Sequence, residues 1–88
     1  MANRRTLKRD INYVFGDIIE AAYLHQITHP KEDPAKSEEI VEEAISEFDE
    51  LIGKMNQKDV ENRKQHFKGI ENEFEAKARD LVEKINAL

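Results

Sequence analysis

Eighty-eight residues with a formal net charge of −5 and no cysteine describe one small domain, of a size that buries only roughly 60 to 65% of the surface its unfolded chain exposes. Disulfides and thiolate metal clusters are thereby excluded, and stabilisation beyond a thin core has to come from helix packing, a partner subunit or an ion held by histidine and carboxylate. The acidic balance argues against generic nucleic-acid binding, although the charge is uneven: residues 1–9 carry four cations and no acid, while residues 31–56 carry nine acids against three bases.

In chain order, the basic opening "MANRRTLKRD" leads into no apolar run with a small-residue cleavage site, and no stretch approaches the roughly 18 apolar residues of a membrane span. These features predict a cytoplasmic protein. Only three glycines and two prolines interrupt a chain rich in Ala, Glu, Lys, Leu and Ile, so strands have little material and the expected class is all-α. A first helix is expected over about 6–28, with Thr6 as N-cap and Leu7, Ile11, Val14, Ile18 and Ala22 as an apolar seam. "THPKEDP", residues 28–34, ends it: each proline bars its predecessor from helical backbone, and Asp33-Pro34 supplies an N-cap and a first helical residue for the next helix. That second helix is expected over about 34–55, with Val41, Ala44, Phe48, Leu51 and Met55 inward. A softer break at "MNQKD" lets Asn56 end it and Asp59 cap a third helix over about 59–87, whose seam runs Val60, Phe67, Ile70, Phe74, Ala78, Leu81, Ile85, Leu88. Short connections then predict an antiparallel up-down-up three-helix bundle, a single helical domain over residues 1–88.

Helix 1 has more apolar surface than one buried face requires. At about 100° per residue its apolar arc runs past the seam through Phe15 and Ile19 to Tyr23 and Ile27, roughly 220° in all, against roughly 120 to 140° for the other two helices. Gly16 interrupts this second stripe at a cost of about 1 kcal/mol relative to alanine. One reading makes helix 1 the most buried helix of a monomer, with Tyr23 snorkelling. The preferred reading makes Asn12, Gly16, Ile19, Tyr23 and Ile27 a self-complementary patch where two helices approach closely at the glycine, giving a two-fold homodimer.

His25 and His29 lie one helical turn apart and project in line with Leu7 and Ile11, toward the seam. A metal site of useful affinity needs a third and fourth ligand. His66 would lie roughly 18 Å from His25 in an up-down-up chain rising 1.5 Å per residue, which leaves Glu38 or Glu39 as the carboxylates within reach. Neither a His-Glu-x-x-His motif nor Glu-x-x-His pairs occur, so the preferred reading is a polar helix end where histidine complements the C-terminal dipole, with no cofactor.

"EEIVEEAISEFDE", residues 38–50, holds seven carboxylates and no base. They surround the polar side of helix 2 and read as a solvated face. Its lower part is expected to pair with Arg4, Arg5, Lys8, Arg9, Arg63, Lys64 and Lys68, each exposed pair worth about a few tenths of a kcal/mol. Arg4, Arg5, Lys8 and Arg9 also crowd a helix start against its dipole, which makes them the candidates for contact with an anion or a phosphate. With no helix-turn-helix pattern and no aromatic platform, nucleic acid is the weaker version of that reading. Ser37 and Ser46 have no histidine at a fitting position and no Gly-rich loop is present, so no catalytic residue and no enzyme are expected.

The segment "NRRTLKRDINYVFGDIIEAAYLH", residues 3–25, resembles the start of a small all-helical protein group of Bacteroidetes. That resemblance implies a small cytosolic helical domain and implies no activity. The expectation is therefore a non-enzymatic protein-interaction module, homodimeric through helix 1 or bound to another protein, with no membrane and no small-molecule substrate. The alternatives are a metal- or anion-linked regulatory protein using His25, His29 and the basic N-terminus, and a weak nucleic-acid-binding accessory protein.

Overall fold

A computed structural model describes residues 4–88 of the chain and contains three helices, α1 (Arg4–Thr28), α2 (Ala35–Met55) and α3 (Arg63–Asn86), with no strand among the described residues. Each helix packs against both others. Polar contacts fix their directions. Arg4 at the start of α1 reaches Asn56 just past the end of α2, and Gln26 near the end of α1 reaches Ser37 in the first turn of α2. Lys54, Lys77 and Lys84 then pair across α2 and α3 with Glu73, Glu50 and Glu43 in one antiparallel register. The bundle runs up, down and up, as the short connections predict.

The ends of the helices show why the chain turns where it does. Asp33 Oδ1 accepts from Ala35 N at 3.0 Å, so it ties the entry to α2 from one residue further out than expected, and Pro34 itself is the N-cap. Asp59 does not cap α3. It adopts a positive φ of 61°, a left-handed backbone that stops a helix and that Asp tolerates better than most residues. The cap is Asn62, at extended backbone angles, whose side chain accepts from Gln65 N at 3.1 Å. Val60 consequently lies in the connection and not on the α3 seam. At the other end, α1 already includes Arg4, so Thr6 is inside its first turns and is not the cap.

The core follows the predicted seams, with Phe15 and Ile40 added and Val14, Phe48, Phe67, Ala78, Ile85 and Leu88 only partly buried at its margin. Leu7, Ile11, Ile18 and Ala22 of α1 are buried against Ile40, Val41, Ala44, Leu51 and Met55 of α2 and Ile70, Phe74 and Leu81 of α3. Phe15, assigned to the second stripe of helix 1, is 1% exposed and belongs to this core. Its ring centroid is 6.2 Å from that of Phe48 in an edge-on contact and 6.0 Å from that of Phe74, so each helix contributes one ring to an aromatic centre. Ser37 is the one buried polar residue among those described, and its hydroxyl is satisfied, donating to Pro34 O at 2.9 Å and accepting from Gln26 at 2.8 Å.

Candidate functional site

Three regions merit a functional reading: the outer face of α1, the histidine end of the bundle and the charged seams. On α1, Asn12, Gly16, Tyr23 and Ile27 of the predicted patch are exposed, whereas Ile19 is partly buried and packs against the core. The monomer has absorbed Phe15 and half of Ile19, and leaves the rest of the stripe bare. Ile27 is 73% and Tyr23 48% exposed, joined by Tyr13 at 66% and Leu24 at 58%. Tyr13 and Leu24 were not in the predicted patch, although both fall within roughly 60 to 80° of Gly16 on a helical projection. The exposed Ile45 of α2 and Val82 of α3 project to the edges of their helices roughly 160° away from Glu43 and Lys84, which places them on the sides nearest α1. Beyond its own helical turn, a Cβ on Gly16 would meet no atom of the described residues within 4 Å, so none of them requires glycine there.

At the opposite end of α1 from Arg4, His25 and His29 stack with ring centroids 4.1 Å apart and planes 18° from parallel. His25 Nε2 donates to Glu32 Oε2 at 3.1 Å, and His29 Nδ1 donates to the carbonyl of His25 at 3.1 Å. The carboxylate beside His25 is thus Glu32, from the α1–α2 connection. Glu38 is exposed and contributes its backbone N–H to Pro34 O. Among the described residues no group of three or more histidine and carboxylate side chains is placed to hold a metal ion. Each ring nitrogen named above is engaged within the chain, an arrangement that ends a helix tidily and ties the connection to it.

The charged seams differ from expectation. Among the described residues, the basic side chains at the starts of α1 and α3 make no ion pairs with the acidic face of α2, and Arg9 pairs with its neighbour Asp10, at 3.8 Å. The acids of α2 instead meet the middle and end of α3, because antiparallel packing sets Glu43 and Glu50 level with Lys84 and Lys77. Lys84 Nζ lies 2.7 Å from Glu43 and 3.2 Å from Asp80, and Lys77 Nζ lies 3.0 Å from Glu50 and 3.2 Å from Glu73. Lys54 completes the ladder, 2.8 Å from Glu73. Hydrogen bonds from Lys54, followed by Lys77, hold the Glu73 carboxyl below the ordinary carboxylate range, and a hydrogen bond from Lys77 does the same for Glu50.

Glu47 lies on the same polar face. It is partly buried, its Oε2 has no hydrogen-bond partner, and burial followed by repulsion from Glu43 pushes its pKa up. A uniformly solvated acidic face does not describe this residue.

The anion candidates are divided by the structure. Arg5, Lys8 and Arg9 line a shallow, open depression with Asn12 and Tyr13. Arg4 turns the other way, into a recess between the end of α2 and the start of α3. No helix among the described residues is long and apolar enough to cross a membrane. Compared with known proteins, the chain matches no family model, no curated protein and no solved structure.

Proposed function

We propose that this protein is a small, non-enzymatic helical interaction module that self-associates through the outer face of α1. The observation carrying this reading is the bare apolar face itself: Tyr13, Tyr23, Leu24 and Ile27 are four of the six exposed large apolar residues of the described chain, and all lie on one helix. Scattered single exposures are ordinary on a small protein, whereas Tyr23, Leu24 and Ile27 gather within the last turns of one helix, with Tyr13 further along the same side, and such a gathering marks a contact surface. Burial of that area on a second copy supplies the driving force, at roughly 25 cal/mol per Å² before the costs of association. Tyrosine suits such a surface because it brings a large rigid ring with a polar tip.

Charge supports a two-fold, antiparallel pairing about Gly16. Arg9 and Glu20 lie on the same outer face, one on each side of the glycine, so that crossing two α1 helices there brings each arginine toward the other copy's glutamate. The reading includes a cytoplasmic location, which suits a chain with no cysteine.

Absolute mass by light scattering tests the proposal. The expected result is twice the chain mass of 10.3 kDa for the wild type, and the single-chain mass for a Tyr23→Glu/Ile27→Glu variant. Both substitutions fall on exposed side chains, so the variant retains its fold by circular dichroism. A wild-type monomer at every concentration tested overturns the proposal.

A further inference from the structure

The recess that receives Arg4 has a chemical character of its own. It is a cavity of about 240 Å³ at the end of the bundle where α1 and α3 begin and α2 finishes, and its walls include Arg4, Lys58, Arg63 and His66 over an apolar floor of Met55 and Phe67. No aspartate or glutamate lines it. We propose that this cavity binds a single phosphate group, as inorganic phosphate or as the head of a small phosphomonoester.

The cations of this recess carry charge that no lining carboxylate offsets. Lys54, Lys77 and Lys84 each meet at least one carboxylate. Lys58 and Arg63, like most of the exposed cations, have no hydrogen-bond or ion-pair partner for their side chains among the described residues, and what sets these two apart is that both line the same cavity. Arg4 Nη2 donates to Asn56 Oδ1 at 2.7 Å, a neutral partner that orients the guanidinium and leaves its charge intact. His66 Nε2 donates to the carbonyl of Lys54 at 2.7 Å, which fixes the ring as a wall and occupies one carbonyl at the end of α2. Three cations, from the start of α1, the α2–α3 connection and the start of α3, therefore line one concave space whose described lining holds no carboxylate. Guanidinium groups offer forked donors matched to phosphate oxygens, and the lysine adds a mobile point charge. The positive ends of α1 and α3 act in the same direction.

Compactness of the site favours one phosphate over a polyanion. Along the bundle from this end the chain presents the carboxylates of α2, which repel an extended phosphate backbone.

The test is a ¹H–¹⁵N NMR titration of the full chain with sodium phosphate and, separately, glycerol phosphate, at ionic strength held constant with sodium chloride. Saturable shifts concentrated at Lys54–Phe67 and the first turn of α1 are expected with either ligand. The tighter of the two tells free phosphate from a phosphomonoester. A Lys58→Gln/Arg63→Gln variant, altered only at exposed side chains, is expected to keep a wild-type fold in its remaining spectrum and to bind at least tenfold more weakly. Three results overturn the proposal: shifts reproduced by chloride alone, wild-type affinity in the double variant, or tighter binding of a short DNA duplex than of either small phosphate.

Discussion

Glu47 carries a charge into a place that supplies no donor for one of its oxygens. Burial is the main cause of its raised pKa, with Glu43 and Asp80 adding to it and Lys77 and Lys84 opposing it. A folded-state pKa above the unfolded one means that the native chain holds the proton more tightly. Ionised Glu47 therefore subtracts stability at pH values above its folded pKa and subtracts nothing below the ordinary value of 4.5. Glu73 has the opposite sign: its depressed pKa contributes stability above 4.5 that is lost as pH falls through the folded value. Glu47→Gln is accordingly expected to raise Tm at neutral pH by about 2 to 4 °C, the equivalent of about half a kcal/mol in a domain of this size. Thermal unfolding followed by circular dichroism at neutral pH and again below the unfolded pKa checks this, and the gain is expected to vanish in the acid series. A loss of stability at neutral pH would mean that the two lysines outweigh the burial. The spacing of "EEIVEEAISEFDE" shows that its carboxylates share a polar face. It does not show which edge of that face α3 covers, and this is why Glu47 reads from sequence like its solvated neighbours.

Among the elements, the seams were legible and the ends less so. Apolar residues at threes and fours specify a helix and its buried side because the period of the pattern and the period of the backbone coincide. Phe15 is one exception, since a residue at the edge of an arc can serve the core or the outer face, and the ring contacts with Phe48 and Phe74 decide it. Caps depend on single backbone conformations that no period encodes. Asp59 has the chemistry of a cap and the wrong φ, while Asn62 has both chemistry and geometry. Asn62→Ala is expected to destabilise the chain by about 1 kcal/mol, measured as a fall in the urea midpoint with an unchanged slope, whereas Asp59→Gly is expected to be neutral or better because glycine enters left-handed backbone without strain. An Asn62→Ala variant as stable as the wild type would show that packing of Phe67 and Ile70 alone starts α3. The candidate sites follow the same division. The α1 stripe could be read from periodicity, but the recess formed by Arg4, Lys58, Arg63 and His66 could not, because it draws on two helix starts and a connection that are distant in sequence.

For the molecule as a whole, the two kinds of contact are segregated. Ion pairs run along the junction of α2 and α3, while α1 is held mainly by apolar packing and turns its remaining apolar surface outward. Gly16→Ala separates the energy of the fold from that of self-association. Inside one chain the added methyl meets open space, so the folded monomer is expected to gain about 0.5 to 1 kcal/mol from helix propensity. In a close crossing of two α1 helices the same methyl intervenes between backbones and weakens the dimer. Thermal unfolding at high dilution and sedimentation equilibrium measure the two effects, and unchanged association would remove Gly16 from the contact. The lysine ladder between α2 and α3 adds little to stability, since exposed pairs contribute at most about 1 kcal/mol each, but it bears on alignment. Apolar seams repeat every turn, so a helix displaced along its axis by four residues still presents leucine and phenylalanine to the core. Displace α3 one turn in one direction and Glu43 comes opposite Asp80 while Glu50 comes opposite Glu73; displace it in the other and Lys54 comes opposite Lys77. The charges act as a key that accepts one longitudinal setting of the third helix and penalises its nearest rivals, a form of selection between folds that a count of attractive contacts does not reveal.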